Sequence, residues 1–244
     1  MSRQGFSYTD ASMRDIAQQL IDHARAGGAT AAEVDVSEGF GQSVTVRRGE
    51  VETIEYNRDK GIGVTVYVGQ RRGYASSSDF SLDAMRATVD AALSIARFTA
   101  EDDAAGLPDK SLLATEFRDL DLFHPWELPV EQAIDLARRC EDAAFGVSPD
   151  IRNSEGASVS AQQSQFISAN SLGFMAGYAS TRQYISCSVI AGEGDGMQRD
   201  ALVTIRTAVL KPLSVYLGVC SVLPAFKHIC EGKHSIDKVR EHFK

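Results

Sequence analysis

The 244-residue chain has 43% hydrophobic and 24% charged residues, enough for one large or two small domains with real cores. Its formal charge of −8 leaves no basic surplus to neutralise phosphates, which argues against a nucleic-acid binder. Four cysteines at irregular spacing make no disulfide framework in a chain this long, and Met1–Asp10 has no apolar core of signal-peptide length. A reducing cytoplasm is the expected location.

The pattern predicts a first helix from Asp10 to Ala26. Met13, Ile16, Ala17, Leu20 and Ala24 share one face, Asp10 is placed to cap it, and Gly27-Gly28 stops it. An alternating strand, Ala32–Ser37, then leads to an expected turn at Gly39-Phe-Gly41. From Val44 to Ser78 the chain reads as two β-hairpins in series, with turns at Arg48-Gly49, Asp59-Lys60-Gly61 and Gly69–Gly73. Ile62, Val64, Val66 and Val68 recur at period two, the mark of a half-buried antiparallel sheet. Ser81 caps a second helix with Leu82, Met85, Val89, Leu93 and Ala96 inward. Residues 1–100 thus read as an α+β domain with helices packed on an antiparallel sheet.

Residues 101–124 are acidic, weakly patterned and linker-like. Pro129 opens a third helix with Val130, Ala133, Ile134, Ala137 and Ala144 on its buried side; Glu127 and Glu131 at its start and Arg138-Arg139 near its end suit the helix dipole. Strands follow through Ala157–Ala161 and Gln165–Ala169 to a turn at Asn170–Gly173, and Phe174–Ala191 returns with a bend near Gly177. Residues 125–200 therefore read as the start of a second domain, again a helix followed by a hairpin.

Composition breaks near residue 200. Residues 1–200 hold 16 Arg and 2 Lys against 30 acids, a net of −12; residues 201–244 hold 2 Arg and 5 Lys against 3 acids, a net of +4. The basic tail is either a separate module or a product of a different coding context, such as a shifted frame or fused segment. Its apolar run Leu213–Leu223 is too short to span a bilayer, so no membrane association is expected.

Chemistry-bearing patterns are sparse. No HExxH or HExxxH helix occurs. His23 borders the buried stripe of the first helix, and His124 precedes the rigid segment Pro125–Pro129, where it anchors a helix entrance. In the tail, His228, Cys230, His234 and His242 have sulfur and imidazole ligands at short spacing, but not in the pairing of a closed zinc site. Gly192-Glu-Gly-Asp-Gly196 lacks the Lys-Ser/Thr of a phosphate loop and reads as a turn. Arg47-Arg48 and Arg71-Arg72 read as solvated residues at hairpin ends.

Several segments together resemble one family: Gly28–Val36, Val44–Glu52, Gly61–Tyr67, Gly73–Asp79, Asn170–Phe174 and Gly192–Asp200. In order and spacing they are similar to the N-terminal part of the TldD/PmbA family, metallopeptidase-related proteins once called modulators of DNA gyrase, and favour its PmbA (TldE) branch. The resemblance covers residues 10–200. It implies a cytoplasmic heterodimer in which a TldD-type partner carries the zinc-binding HExxxH helix and metal-activated water attacks a peptide carbonyl. The PmbA/TldE subunit completes the enzyme, and peptides or unfolded segments are the substrates. Family members are about twice as long, so this chain is expected to be truncated, with residues 201–244 unlike the family. No catalytic, cofactor-binding or metal-binding residue carries over to it, and any zinc belongs to the partner. The alternative is a non-enzymatic binding module or an inert fragment. The acidic body gives no support to gyrase regulation.

Overall fold

A computed structural model describes residues 5–194 and 197–206. The elements follow in the order α1 (Asp10–Ala26), β1 (Ala31–Arg47), β2 (Glu50–Val68), β3 (Arg71–Ser77), α2 (Leu82–Phe98), a 3-10 turn (Lys110–Leu112), α3 (Val130–Phe145), β4 (Ile151–Asn170), β5 (Met175–Ala176), β6 (Ala179–Ala191) and β7 (Gln198–Arg206). The strands form one sheet in the order β3-β2-β1-β4-β6-β7, with β5 beside β4. This is the expected α+β class, an antiparallel sheet with packed helices. Two compact units share the chain. The first takes residues up to Phe40, Arg58–Leu122 and Ser164–Ser180; the second takes Gly41–Asn57, Phe123–Gln163 and residues from Thr181 onward.

In the first unit, α1 and α2 cover one face of the sheet. Met13, Leu20 and Ile21 of α1 and Val89, Ala92 and Leu93 of α2 are buried against Val34, Val36, Ile62, Val64 and Val66. Each fully buried side chain of this size contributes about 1.5–3 kcal/mol. The cap of α1 is Thr9 and not the expected Asp10: Thr9 is extended and accepts from the Ser12 amide, while Ser12 Oγ accepts from the Thr9 amide at 2.8 Å. Ser81 caps α2 as expected, but Leu82, expected inward, is 48% exposed.

In the second unit, α3 lays Ala133, Ala137, Cys140 and Ala144 on Val44, Val46, Ala157, Val159, Ile185 and Val189. Val130 and Ile134 are only partly buried, and Glu141 takes a place in the buried stripe that apolar patterning did not assign.

The glycine-marked turns divide into two kinds. At Arg48-Gly49 and at Gly69 the chain does reverse, with φ of 52°, 78° and 62°. At Gly39-Phe-Gly41 and Asp59-Lys60-Gly61 it runs straight through β1 and β2. A Cβ on Gly41 would lie 2.4 Å from the Ala161 carbonyl oxygen, so that glycine provides clearance for a neighbouring strand and no turn. The bend expected near Gly177 is present as the break between β5 and β6, and a Cβ there would meet the Phe166 carbonyl oxygen at 1.9 Å.

Candidate binding groove

On the sheet face opposite its core, the first unit has an open groove of about 670 Å³. Period two builds it. Asp35 and Ser37 alternate with buried Val34 and Val36, Gly61 and Gly63 alternate with Ile62 and Val64, and Tyr74 and Ser76 stand on β3. Antiparallel pairing of β2 with β3 sets Gly63 opposite Ser76 and Thr65 opposite Tyr74. A Cβ on Gly63 would lie 3.2 Å from the Tyr74 hydroxyl, so the phenol ring rests over that glycine and forms part of the floor.

Lys60 closes one end. Its Nζ donates to the Tyr8 hydroxyl at 3.2 Å and stands 4.8 Å from the Phe80 ring centroid. At the same end, past the last β2–β3 pair, Ser77 Oγ accepts from the Asp79 amide at 3.0 Å, and Asp79 Oδ1 accepts from the Ser81 amide at 2.8 Å. These hydrogen bonds from Ser81 hold the Asp79 carboxyl below its ordinary pKa. The groove rim thus continues into the cap of α2.

Glu38 holds the neighbouring segment in place. Only 2% exposed, it accepts from the Ser7 amide at 2.8 Å, the Tyr8 amide at 3.1 Å, Arg58 Nη1 at 3.2 Å and Gln165 Nε2 at 3.4 Å. These donors meet the desolvation demand of a buried carboxylate and fix Tyr8 beside Lys60. The signal was readable: Glu38 follows Val34 and Val36 at period two, an acid in an inward position.

The groove lining offers hydroxyls, one carboxylate and one ammonium. It includes no histidine or thiol, and a serine hydroxyl without an adjacent base is a poor nucleophile. The arrangement suits holding a polar ligand by hydrogen bonds.

The other sequence candidates fall elsewhere. His23 pairs with Asp90 at 3.0 Å on the surface of the first unit. His124 is held through its backbone: its amide donates to Thr181 Oγ1 and its carbonyl accepts from Gln183 Nε2, both at 3.0 Å. Arg47, Arg48 and Arg71 are not simply solvated. Arg47 Nε donates to the Ser154 carbonyl, Arg48 Nε to Asn153 Oδ1, and Arg71 bonds Glu101 and the Arg97 carbonyl. Gly192 and Gly194 make a turn with φ of 82° and 57°, where Glu193 pairs with Arg152. His228, Cys230, His234 and His242 lie outside the described residues. Among the described residues no three of His, Cys, Asp and Glu are arranged to hold a metal ion, so these residues do not fit zinc. No described helix is long and apolar enough to cross a membrane.

Two features of the second unit escaped sequence reasoning. Buried Glu141 accepts from the Arg48 amide at 2.9 Å and the Gly49 amide at 2.8 Å, fastening the β1–β2 turn to α3. Beside it, a hydrogen bond to Cys140 and burial push the Cys187 thiol above its ordinary pKa.

Fold and groove together define an α+β protein whose antiparallel sheet carries packed helices and an open polar groove. Sequence models of PmbA/TldA metallopeptidase domain 1 and of the PmbA/TldA metallopeptidase central domain match residues 32–96 and 123–211. The chain belongs to the PmbA/TldD family, on its PmbA side. It is 44% identical over 201 residues to metalloprotease PmbA of Escherichia coli O157:H7, a match covering 81% of this chain and 45% of that protein. The chain therefore spans under half the length of this relative. Among solved structures, a Bacteroides thetaiotaomicron protein described as a candidate modulator of DNA gyrase superposes with a TM-score of 0.75 at 20% identity, covering 88% of this chain and 50% of that one. TldE from Thermococcus kodakarensis gives a TM-score of 0.67 at 12% identity, covering 88% and 47%. These two likenesses establish the fold.

Proposed function

We propose that this chain is a PmbA/TldE-type subunit of a zinc-dependent peptidase, itself without the metal site, which works in the cytoplasm beside a TldD-type subunit. The observation that carries this reading is the 44% identity to metalloprotease PmbA together with the two matched family domains. In this reading residues 1–100 and 125–200 are the N-terminal domain and the start of the central domain, 101–124 links them, and 201–244 is a basic segment of net charge +4. The substrates are peptides or unfolded segments.

The groove supports a holding role. Ser37, Ser76 and Tyr74 offer hydroxyls along it, and Gly61 leaves room above the strand. Hydroxyl contacts of this kind hold the polar groups of an extended polypeptide with little dependence on its sequence. Purified alone, the chain should contain no stoichiometric zinc by elemental analysis. Co-expressed with a TldD-type subunit, it should co-purify with it. Zinc bound tightly to the chain alone, or failure to associate, would overturn the subunit assignment in favour of an independent binding module.

A further inference from the structure

The core of the second unit holds Cys140 and Cys187 as free thiols, at 5% and 3% exposure. Period two on β6 turns Ile185, Cys187 and Val189 inward, and the helical stripe of α3 lays Ala133, Ala137, Cys140 and Ala144 over them. The alanines are short, which lets thiols reaching from helix and strand touch. Cys187 donates its S–H to Cys140 Sγ. That hydrogen bond draws the Cys140 thiol below its ordinary pKa, against the opposing effects of burial and of the Glu141 carboxylate. Thiolate character is what makes a cysteine react with oxidants, and a second thiol in contact with it is placed to resolve the product.

We infer that Cys140 and Cys187 are a redox-active pair that peroxide closes into a disulfide, stapling α3 to β6. The Cys140 sulfur attacks one peroxide oxygen, the O–O bond breaks, and the other oxygen leaves as water with the thiol proton, giving a sulfenic acid. The Cys187 sulfur then attacks the Cys140 sulfur. An S–S bond of about 2.05 Å forms as the S–O bond breaks, and the hydroxide takes the Cys187 proton to leave as a second water. The two thiols lose two electrons and one peroxide gains them. A small dithiol reverses the closure by becoming a disulfide itself. Peroxide is little larger than water, so brief local openings of α3 are enough to admit it. This chemistry goes beyond the peptidase reading and needs no TldD-type subunit.

The test is hydrogen peroxide treatment of the folded, reduced full chain, stopped with catalase. Unfolding with alkylation of every remaining thiol and non-reducing peptide mapping follow. The parent should yield one disulfide, Cys140 to Cys187, which dithiothreitol removes. Fixing helix to strand should raise the Tm, read by circular dichroism, by about 5–10 °C over the reduced chain. Cys140→Ala and Cys187→Ala should each lose that disulfide and the peroxide-dependent rise in Tm. The parent map decides the matter even where a variant fails to fold. Cys140 and Cys187 both alkylated after peroxide treatment overturn the inference. So does a disulfide that joins either one to Cys220 or Cys230, one that forms only when peroxide is added in urea, or a Cys140–Cys187 bond that leaves the Tm unchanged.

Discussion

Replacing Glu141 tests whether one buried carboxylate holds the β1–β2 turn to α3. The side chain is 1% exposed and accepts two backbone amides at 2.9 and 2.8 Å, while Arg138 Nε adds a bond to the Gly49 carbonyl at 2.8 Å. Hydrogen bonds to a charged acceptor contribute about 1.5–3 kcal/mol each. The turn amides regain water once the carboxylate is gone, because Arg48 is exposed and Gly49 half-buried, so the low end applies. Glu141→Ala should cost about 3 kcal/mol and Glu141→Gln, which keeps one acceptor oxygen, about half of that. For a chain of this size 3 kcal/mol corresponds to a Tm about 6–12 °C lower. The single tryptophan, Trp126, packs against the core of the same unit, so its fluorescence in urea reads this unfolding directly. A loss below about 1 kcal/mol, or a glutamine variant as damaged as the alanine variant, would refute the two-amide account.

Gly73→Ala places a methyl 2.0 Å from the Ala92 carbonyl oxygen and 2.6 Å from the Ala96 nitrogen, both α2 backbone. It should cost about 3 kcal/mol in urea unfolding followed by circular dichroism, whereas Gly106→Ala, with nothing within 4 Å, should be neutral. Cys140 and Cys187 are buried, so residue-resolved iodoacetamide labelling should leave both unmodified in the native chain and modify both after unfolding. Native labelling at the rate of a free thiol would contradict their placement. Asp79 has a lowered pKa from its hydrogen bonds to Ser81, so its contribution to stability is present above the ordinary carboxylate pKa and fades as pH falls through the lowered one. A carboxyl NMR titration should place its midpoint below 3.8, and a midpoint at or above that value would remove the capping argument.

Periodicity made much of the architecture legible. Helix α1 starts and ends where its apolar stripe does, and Ser81 caps α2 as its place before an apolar stripe implies. What stayed hidden depends on space and not on pattern. Gly41 and Gly69 look alike in sequence, yet one clears a neighbouring strand and the other turns the chain with positive φ. Thr9 and Asp10 are both competent caps, and only the extended backbone at Thr9 decides between them. Glu38 and Glu141 sit in register with buried residues, a signal present in the sequence, but their partners come from segments many residues away. The groove was legible only as strands: that Gly61, Gly63 and Tyr74 form one floor follows from the β2–β3 register.

The central claim is that this chain completes a peptidase whose zinc is held by another subunit. Its most direct measurement is hydrolysis of an unfolded protein by this chain, by a TldD-type subunit and by the two together, each with zinc and with a chelator. The account predicts cleavage by the pair, abolished by the chelator, and none by this chain alone. Zinc-dependent cleavage by this chain alone, or cleavage by the TldD-type subunit that is no faster in its presence, would contradict it.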